Sequence, residues 1–345
     1  MITRTRGLVA IALALLAPAC LGGVITAAEI PGAPIAFVYR TPEEGRRRAE
    51  LLEQRDRAPQ RAGVMQLDDL DVWLDGGSDR RGELLEFAGR MALLDPRTAE
   101  VRTFDAVARG AAPLAWSRER ERLLFASARR GPAQLFELDL RTEEIRTATR
   151  GPAVHASGCY GSDGFLAYSE ARRTGNGVRV RIVVREADGR PERALTPGPF
   201  DHNPTCPPDG RWILYVSSRP DGREQLMRAD LDGSPPRRLG FGRDPAFAPD
   251  GSWVVYSAQI GGRWQLWRMR PDGSGKASLG RGVTDEFSPS VSPDGRYVVY
   301  ESEERGRESL FVRRFDGSEQ RVLLSKGDGA HPVWLAGPNA QWSAK

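Results

Sequence analysis

Short apolar runs recur along this chain without the polar alternation of a half-solvated strand: FLAY at 165–168, WILYV at 212–216, WVVY at 253–256 and YVVY at 297–300. An antiparallel strand with one wet face alternates apolar and polar residues, whereas an unbroken run bounded by turn signals reads as a strand buried on both faces. Each run follows a turn around Gly164, Gly210, Gly251 or Gly295, and the last three are Pro-Asp-Gly, where glycine supplies the positive φ of a tight hairpin. The turn recurs every 41 to 46 residues. A degenerate copy lies one period earlier, with Arg120 in the turn and Leu123, Leu124 and Phe125 as its run.

The same four pieces fill each period. An x-Pro segment (HNPTC, RDPAF, FSPSV) opens a strand, since proline removes a backbone donor. The Asp-Gly turn and the apolar strand follow. Two further strands close the period, joined in three copies by a second turn at Asp232-Gly233, Asp272-Gly273 or Asp316-Gly317. Four antiparallel strands per 40 to 50 residues, buried on both faces, describe a propeller blade packed between two neighbours. Complete periods run at 108–150, 151–198, 199–239, 240–281 and 282–326, while 35–40 and 90–104 supply three strands of a further blade and 330–335 supplies only a first strand. The prediction is an all-β, six-bladed β-propeller over 35–335, its ring closed by a C-terminal strand that joins the first blade, with a tail at 336–345.

An insertion at 41–89 interrupts that first blade. Thr41, Pro42 and Glu44 are the N-cap, first helical position and capping-box acid of a short charged helix. The rest of the insertion reads either as loop or as two strands of a seventh blade, because Tyr39 and Phe125 lie close to two periods apart.

The ends of the chain add a compartment. Arg4 and Arg6 precede an apolar run at 8–16 and then Ala17-Pro18-Ala19-Cys20, the order of a secretory signal peptide, 1–19, followed by a tether at 20–34. Ala17-Pro18-Ala19 fits an ordinary cleavage site. Small residues before Cys20 also resemble a lipoprotein box, and a third reading leaves the charge-free run 7–28 uncut, long enough to span a bilayer. Export leaves Cys159 and Cys206 in an oxidising compartment, where they pair if their Cα atoms lie within about 7 Å and otherwise stay as buried thiols. The expected location is the periplasm, free or as a membrane-anchored lipoprotein.

Composition narrows the function classes. Only Lys276, Lys326 and Lys345 are lysines among 50 basic residues, and the arginines are interleaved with 46 acids, which reads as a solvated surface. No arginine-aromatic cluster suggests a nucleic-acid partner. The segment Gly273-Ser274-Gly275-Lys276 joins two strands, so it is no phosphate loop, and neither Cys159 nor Cys206 stands in a CxxC.

The repeated SPDG, aromatic, VVY pattern with a later L and DG resembles the WD-like propeller repeats of the TolB-like family, and the resemblance covers roughly 35–335. It implies a periplasmic propeller that binds protein partners at one mouth of its channel. TolB itself carries a separate N-terminal α/β domain, for which the stretch before Ile35 is too short, so the resemblance does not carry over a Tol-Pal role. Related propellers precede peptidase domains; the ten residues after 335 leave no room for one.

Aligning the copies places Ala112, His155, Asn203, Asp244, Ser288 and His331 at the start of the channel-lining strand, as a ring around one mouth. His202, Asp201 and Glu286 fall beside it, so all three histidines of the chain gather there. Three readings follow: polar strand ends capping loop amides, a metal or small-anion site made of His and carboxylate ligands, or a mouth that takes a loop or tail of a partner. The expectation is an exported, non-enzymatic protein-binding scaffold of the bacterial envelope, without a cofactor, bound to an envelope protein or peptide and attached to the membrane if Cys20 carries lipid. The alternative is a propeller hydrolase or lactonase with a divalent metal in the channel.

Overall fold

The computed structural model describes residues 24–56, 89–128, 131–175, 177–219, 222–280, 283–304, 307–324 and 326–337. The chain opens with β1 (Ile35–Arg40) and helix α1 (Pro42–Asp56), then β2 (Arg90–Leu94) and β3 (Val101–Thr103). Blade 1 follows as β4 (Ala112–Ser117), β5 (Arg122–Ser127), β6 (Gln134–Asp139) and β7 (Ile145–Thr147). Blade 2 is β8 (Val154–Tyr160), β9 (Leu166–Thr174), β10 (Gly177–Arg185) and β11 (Arg193–Ala194). Blade 3 is β12 (Asp201–Thr205), β13 (Trp212–Ser218), β14 (Glu224–Asp230) and β15 (Arg237–Phe241). Blade 4 is β16 (Arg243–Phe247), β17 (Val254–Ile260), β18 (Arg263–Met269) and β19 (Ala277–Ser278). Blade 5 is β20 (Asp285–Val291), β21 (Tyr297–Glu304), β22 (Arg307–Arg314) and β23 (Gln320–Val322), and β24 (Asp328–Trp334) comes last. Each blade is a four-stranded sheet, and blade 6 has the order β24, β1, β2, β3.

The apolar runs are buried on both faces, as expected, and the two faces serve different neighbours. In β13, Ile213 and Tyr215 pack against Phe165, Ala167, Ile182 and Val184 of blade 2. Leu214 and Val216 point the other way, to Val254 and Tyr256 of blade 4. Period-2 geometry thus turns one uninterrupted run into two blade interfaces. Burying each such side chain is worth about 1.5–3 kcal/mol, so the runs carry the cohesion of the ring. The preceding turns hold Gly164, Gly210, Gly251 and Gly295 at φ between 71° and 80°.

Ring closure also follows the expectation. β1 is paired with β24 from Ile35↔Trp334 to Arg40↔Asp328 and with β2 from Ile35↔Leu94 to Tyr39↔Arg90. Because β1 is hydrogen-bonded on both sides, it has no free edge for extra strands. The seven-blade alternative is therefore corrected: between Tyr39 and Phe125 the described residues hold α1, β2, β3 and β4, and the sheets among the described residues number six. The cap of α1 is a capping box, with Thr41 N–H on Glu44 Oε2 at 2.8 Å and Glu44 N–H on Thr41 Oγ1 at 3.3 Å. The proposed extra strands of the insertion lie outside the described residues, as do the signal segment, Cys20 and the tail beyond Gly337.

Residues 24–34, expected as a tether, are docked. Ile25 and Ile30 are buried in a cluster with Tyr297, Leu310 and Val312. Glu29 pairs with Arg314 at 2.7 Å, and the Ile30 carbonyl accepts from Arg97 Nε at 2.8 Å. Among the described residues no helix is long and apolar enough to cross a membrane. Cys159 of β8 and Cys206, just past β12, form a disulfide with Cα atoms 5.6 Å apart, joining the inner strands of blades 2 and 3.

Candidate functional site

The inner strands β4, β8, β12, β16, β20 and β24 each leave one sheet edge toward a central channel of about 740 Å³. Open edges invite further strand pairing, and proline blunts them by removing a donor. Pro113, Pro204, Pro245, Pro289 and Pro332 line the channel wall, one from each blade except blade 2. This is the physical content of the x-Pro signal.

In blades 3 to 6 the inner strands carry a bulge at these prolines, near the mouth, whereas in β4 the slip falls between Pro113 and Ala115 without a left-handed residue. Register slips between His202 and Thr205 in β12, between Arg243 and Ala246 in β16, between Phe287 and Ser290 in β20, and between Ala330 and Val333 in β24. The first bulged residue turns into the left-handed region: Asn203, Asp244, Ser288 and His331 have φ of 47°, 50°, 48° and 51°. Asn, Asp and His are the non-glycine residues that tolerate this conformation best. Their recurrence at the ring has a backbone cause before it has a chemical one.

Side chains then tie the ring from blade to blade. The Asn203 N–H donates to Ser157 Oγ at 3.1 Å, and its Nδ2 to Asp244 Oδ1 at 3.4 Å. Asp244 Oδ2 accepts from the Ser288 N–H at 3.5 Å. The His331 N–H donates to Glu301 Oε2 at 2.7 Å. All of these residues line the channel, together with Arg40, Arg48 and Arg243. Asp244 also lies 3.2 Å from Arg243 Nε.

The remaining residues expected at the mouth sit elsewhere. In blade 2 the slip falls between His155 and Gly158, so the ring position is Ala156 and His155 is one residue early. Its ring is buried against Tyr168, centroids 4.7 Å apart, and Nε2 is 4.0 Å from Glu170, too far for a hydrogen bond. Burial pushes its pKa down to about 4, against the pull of Glu170. His202 is one residue before the ring in β12, its Nε2 bonded to Ser218 Oγ at 2.9 Å, and burial lowers its pKa to about 4 as well. Asp201 is buried and accepts from the Gly198 N–H at 3.0 Å. Glu286 belongs to a blade interface: its carboxylate takes Arg313 at 2.6 Å and the Leu266 N–H at 3.0 Å. The expected gathering of three histidines with acids at the mouth is thus corrected to His331 and Asp244. Among the described residues no three His, Cys, Asp or Glu side chains are grouped to hold a metal ion.

The mouth contains groups the sequence pattern did not reveal. Glu301 follows the apolar run of β21 and pairs with Phe287, the residue before the ring position, where the partners in blades 2, 3 and 4 are Glu170, Val216 and Ser257. Burial raises its pKa, partly opposed by His331. Glu308 receives Arg40 at 2.6 Å and Arg48 of α1 at 2.8 Å. Burial works against its charge, but these two arginines outweigh it and hold its pKa down at about 2. The insertion therefore contributes to the mouth through Arg48. The residue after an apolar run was the available signal for Glu301, but its meaning depends on ring closure.

Residues 208–339 match the model of the TolB beta-propeller domain family. No curated protein matches the chain in sequence. Among solved structures, TolB from Acinetobacter baumannii superposes with a TM-score of 0.64 at 18% identity, covering 88% of this chain and 68% of that one. The putative TolB from Agrobacterium tumefaciens gives 0.58 at 22% identity, covering 69% and 89%. Hydrazine synthase from Kuenenia stuttgartiensis gives 0.63 at 14% identity, covering 89% and 47%. At these identities the likeness is one of fold, and the fold is shared with an enzyme as well as with TolB.

Proposed function

We propose that this chain, a TolB-like β-propeller, is an exported, non-enzymatic binding module of the bacterial cell envelope that takes a segment of a protein partner into the mouth of its channel. The observation that carries this reading is the blade-to-blade belt at the mouth. Asn203, Asp244, Ser288 and His331 are fixed by left-handed backbone at bulges, the Asn203 amide and the Asp244 carboxylate are bonded to each other, and the Ser288 and His331 N–H groups are held by carboxylates of Asp244 and Glu301, so polar groups stand preorganised around an opening. Preorganised polar groups at a concave site bind with little ordering cost. Export rests on the signal-like N-terminus, and a Cys159–Cys206 disulfide suits an oxidising compartment.

The test is affinity capture from bacterial envelope extracts with the native protein and with Asn203→Ala, Asp244→Ala and His331→Ala. Capture of one envelope protein, lost in the variants while their melting temperatures hold, supports the reading. Stoichiometric metal that these variants release, together with hydrolysis of an ester or lactone, sinks it in favour of a metal-dependent propeller hydrolase.

A further inference from the structure

Hairpins of blades 2, 3 and 4 carry arginine where turn chemistry does not call for it. β9 ends beside the start of β8 (Ala171↔Val154), and β13 and β17 end beside the starts of β12 and β16 (Ser217↔Asp201, Ser257↔Arg243), so the β9–β10, β13–β14 and β17–β18 hairpins stand on the face of the mouth. Their exposed ends hold Arg172, Arg173 and Arg179, then Arg219 and Arg223, then Arg263. Turns on the far face are built with aspartate instead, and for a local reason: Asp232, Asp272 and Asp316 each accept a backbone N–H two residues on, at 2.9 Å. Arginines there have acids beside them, Arg190 on Asp188 at 2.7 Å and Arg296 on Asp294 at 2.6 Å.

The hairpins at the mouth lack this balance. Arg172 and Arg179 are directly opposite in register, a like-charge pair that costs stability. The buried Glu170 takes Arg172 at 2.8 Å and Arg181 at 2.9 Å, and among the described residues Arg179, Arg219 and Arg263 make no ion pair. Beside Arg179 the hairpin encloses a recess of about 320 Å³, lined by four arginines, Thr174 and Glu170. The exposed acids described on this face, Glu43, Glu50 and Asp105, sit at blade 6, across the ring from blade 3.

We infer that the partner segment received at the mouth is acidic, its carboxylates meeting the arginines of these three hairpins. This rests on the binding-module reading and adds the charge of the partner. A guanidinium group that its own chain leaves unmatched gains a charge-assisted, bidentate contact from a carboxylate, and an anion between Arg172 and Arg179 relieves their repulsion. The recess beside Arg179 is large enough for an acidic side chain, and three neighbouring hairpins call for several acids along one segment. Each exposed contact is weak by itself, so the affinity comes from their number and falls as salt screens them.

Isothermal titration calorimetry on the full chain tests this with two acetylated, amidated peptides, one of five Glu-Ser repeats and one of five Gln-Ser repeats. The acidic peptide is expected to bind about tenfold tighter at low salt and to lose that advantage at about 0.5 M NaCl. Arg172→Gln with Arg179→Gln, and Arg219→Gln with Arg223→Gln, should each weaken it about fivefold. Arg141→Gln with Arg190→Gln removes the same charge from the far face and should leave the affinity unchanged. Circular dichroism melts verify that the variants fold. Equal affinity for the two peptides, binding of neither, or hairpin variants that bind no more weakly than the far-face variant overturns the inference. Phosphatidylglycerol vesicles that bind through these arginines in place of the peptide also overturn it and assign the face to a membrane. Capture of an envelope protein by the native chain keeps the binding-module reading whatever the peptides do, and capture of none removes both.

Discussion

The backbone N–H of His331 donates to Oε2 of Glu301 at 2.7 Å, which fastens the last strand of the ring to the blade before it. A charge-assisted bond of this kind is worth about 1.5–3 kcal/mol, and removing its acceptor strands a buried donor. Glu301→Ala is expected to lower stability by about 1–3 kcal/mol in urea unfolding. Glu301→Gln keeps an acceptor in place and should lose less than half as much.

The Glu286–Arg313 pair is buried on both sides, with side-chain exposures of 4% and 1%. Removing one partner leaves an uncompensated charge, a cost of about 3–5 kcal/mol. Arg313→Met should show that loss, and adding Glu286→Gln should restore part of it. A double-mutant cycle that gives no coupling contradicts a direct ion pair between these two residues of blade 5.

Ser288 occupies a left-handed conformation at φ 48° that costs an ordinary side chain about 1–2 kcal/mol. Ser288→Gly is expected to match or exceed native stability by up to about 1 kcal/mol, whereas Ser288→Val should lose about 1–2 kcal/mol. Thermal melts of the two variants distinguish a backbone constraint from a side-chain role at this position.

The Cys159–Cys206 disulfide closes a loop with a sequence separation of 47. Loops of this size gain roughly 2–4 kcal/mol from cross-linking. Replacing both residues by serine, or reducing the protein, should lower the urea midpoint accordingly.

His155 and His202 have pKa values lowered from 6.5 to about 4 by burial. Below pH 6.5 the unfolded chain binds protons that the folded chain refuses, so stability is full above 6.5 and declines as pH falls toward 4. The two together account for a loss on the order of a few kcal/mol across that window. Among the described residues the His155 ring nitrogens have no hydrogen-bond partner, so His155→Leu should be neutral or stabilising at pH 7 and should flatten the decline. An unchanged slope in that variant contradicts the assignment.

The blades were legible because their signal is physical at every copy. A run such as 212–216 is apolar throughout since Ile213 and Leu214 face different neighbours, and Gly210 marks the turn that must precede it. The ring was legible only where proline fixed the alignment. Asn203, Asp244, Ser288 and His331 each precede a proline, but blade 2 has Ala156-Ser157 there, and the register moved to the nearest polar residue, His155. Asp201, His202 and Glu286 were close to the ring in sequence, but strand alternation and blade packing turn them into the protein. Arg48 and Glu301 were illegible for the opposite reason: they reach the mouth through a helix and a neighbouring blade that no repeat pattern encodes.

The pairing of Ile35 with Trp334 has a consequence for how the molecule comes into being. Synthesis runs from the N-terminus, so β1 waits for a partner that is made after blades 1 to 5. Until then the assembly is an open arc, and the blade faces bearing Leu123 and Phe125 at one end and Leu310 and Val312 at the other lack the packing that blade 6 gives them. Joining strands so distant in sequence is slow, because the chain must surrender its freedom before the contact rewards it. The seam therefore makes closure of the ring the condition for burying both of those faces.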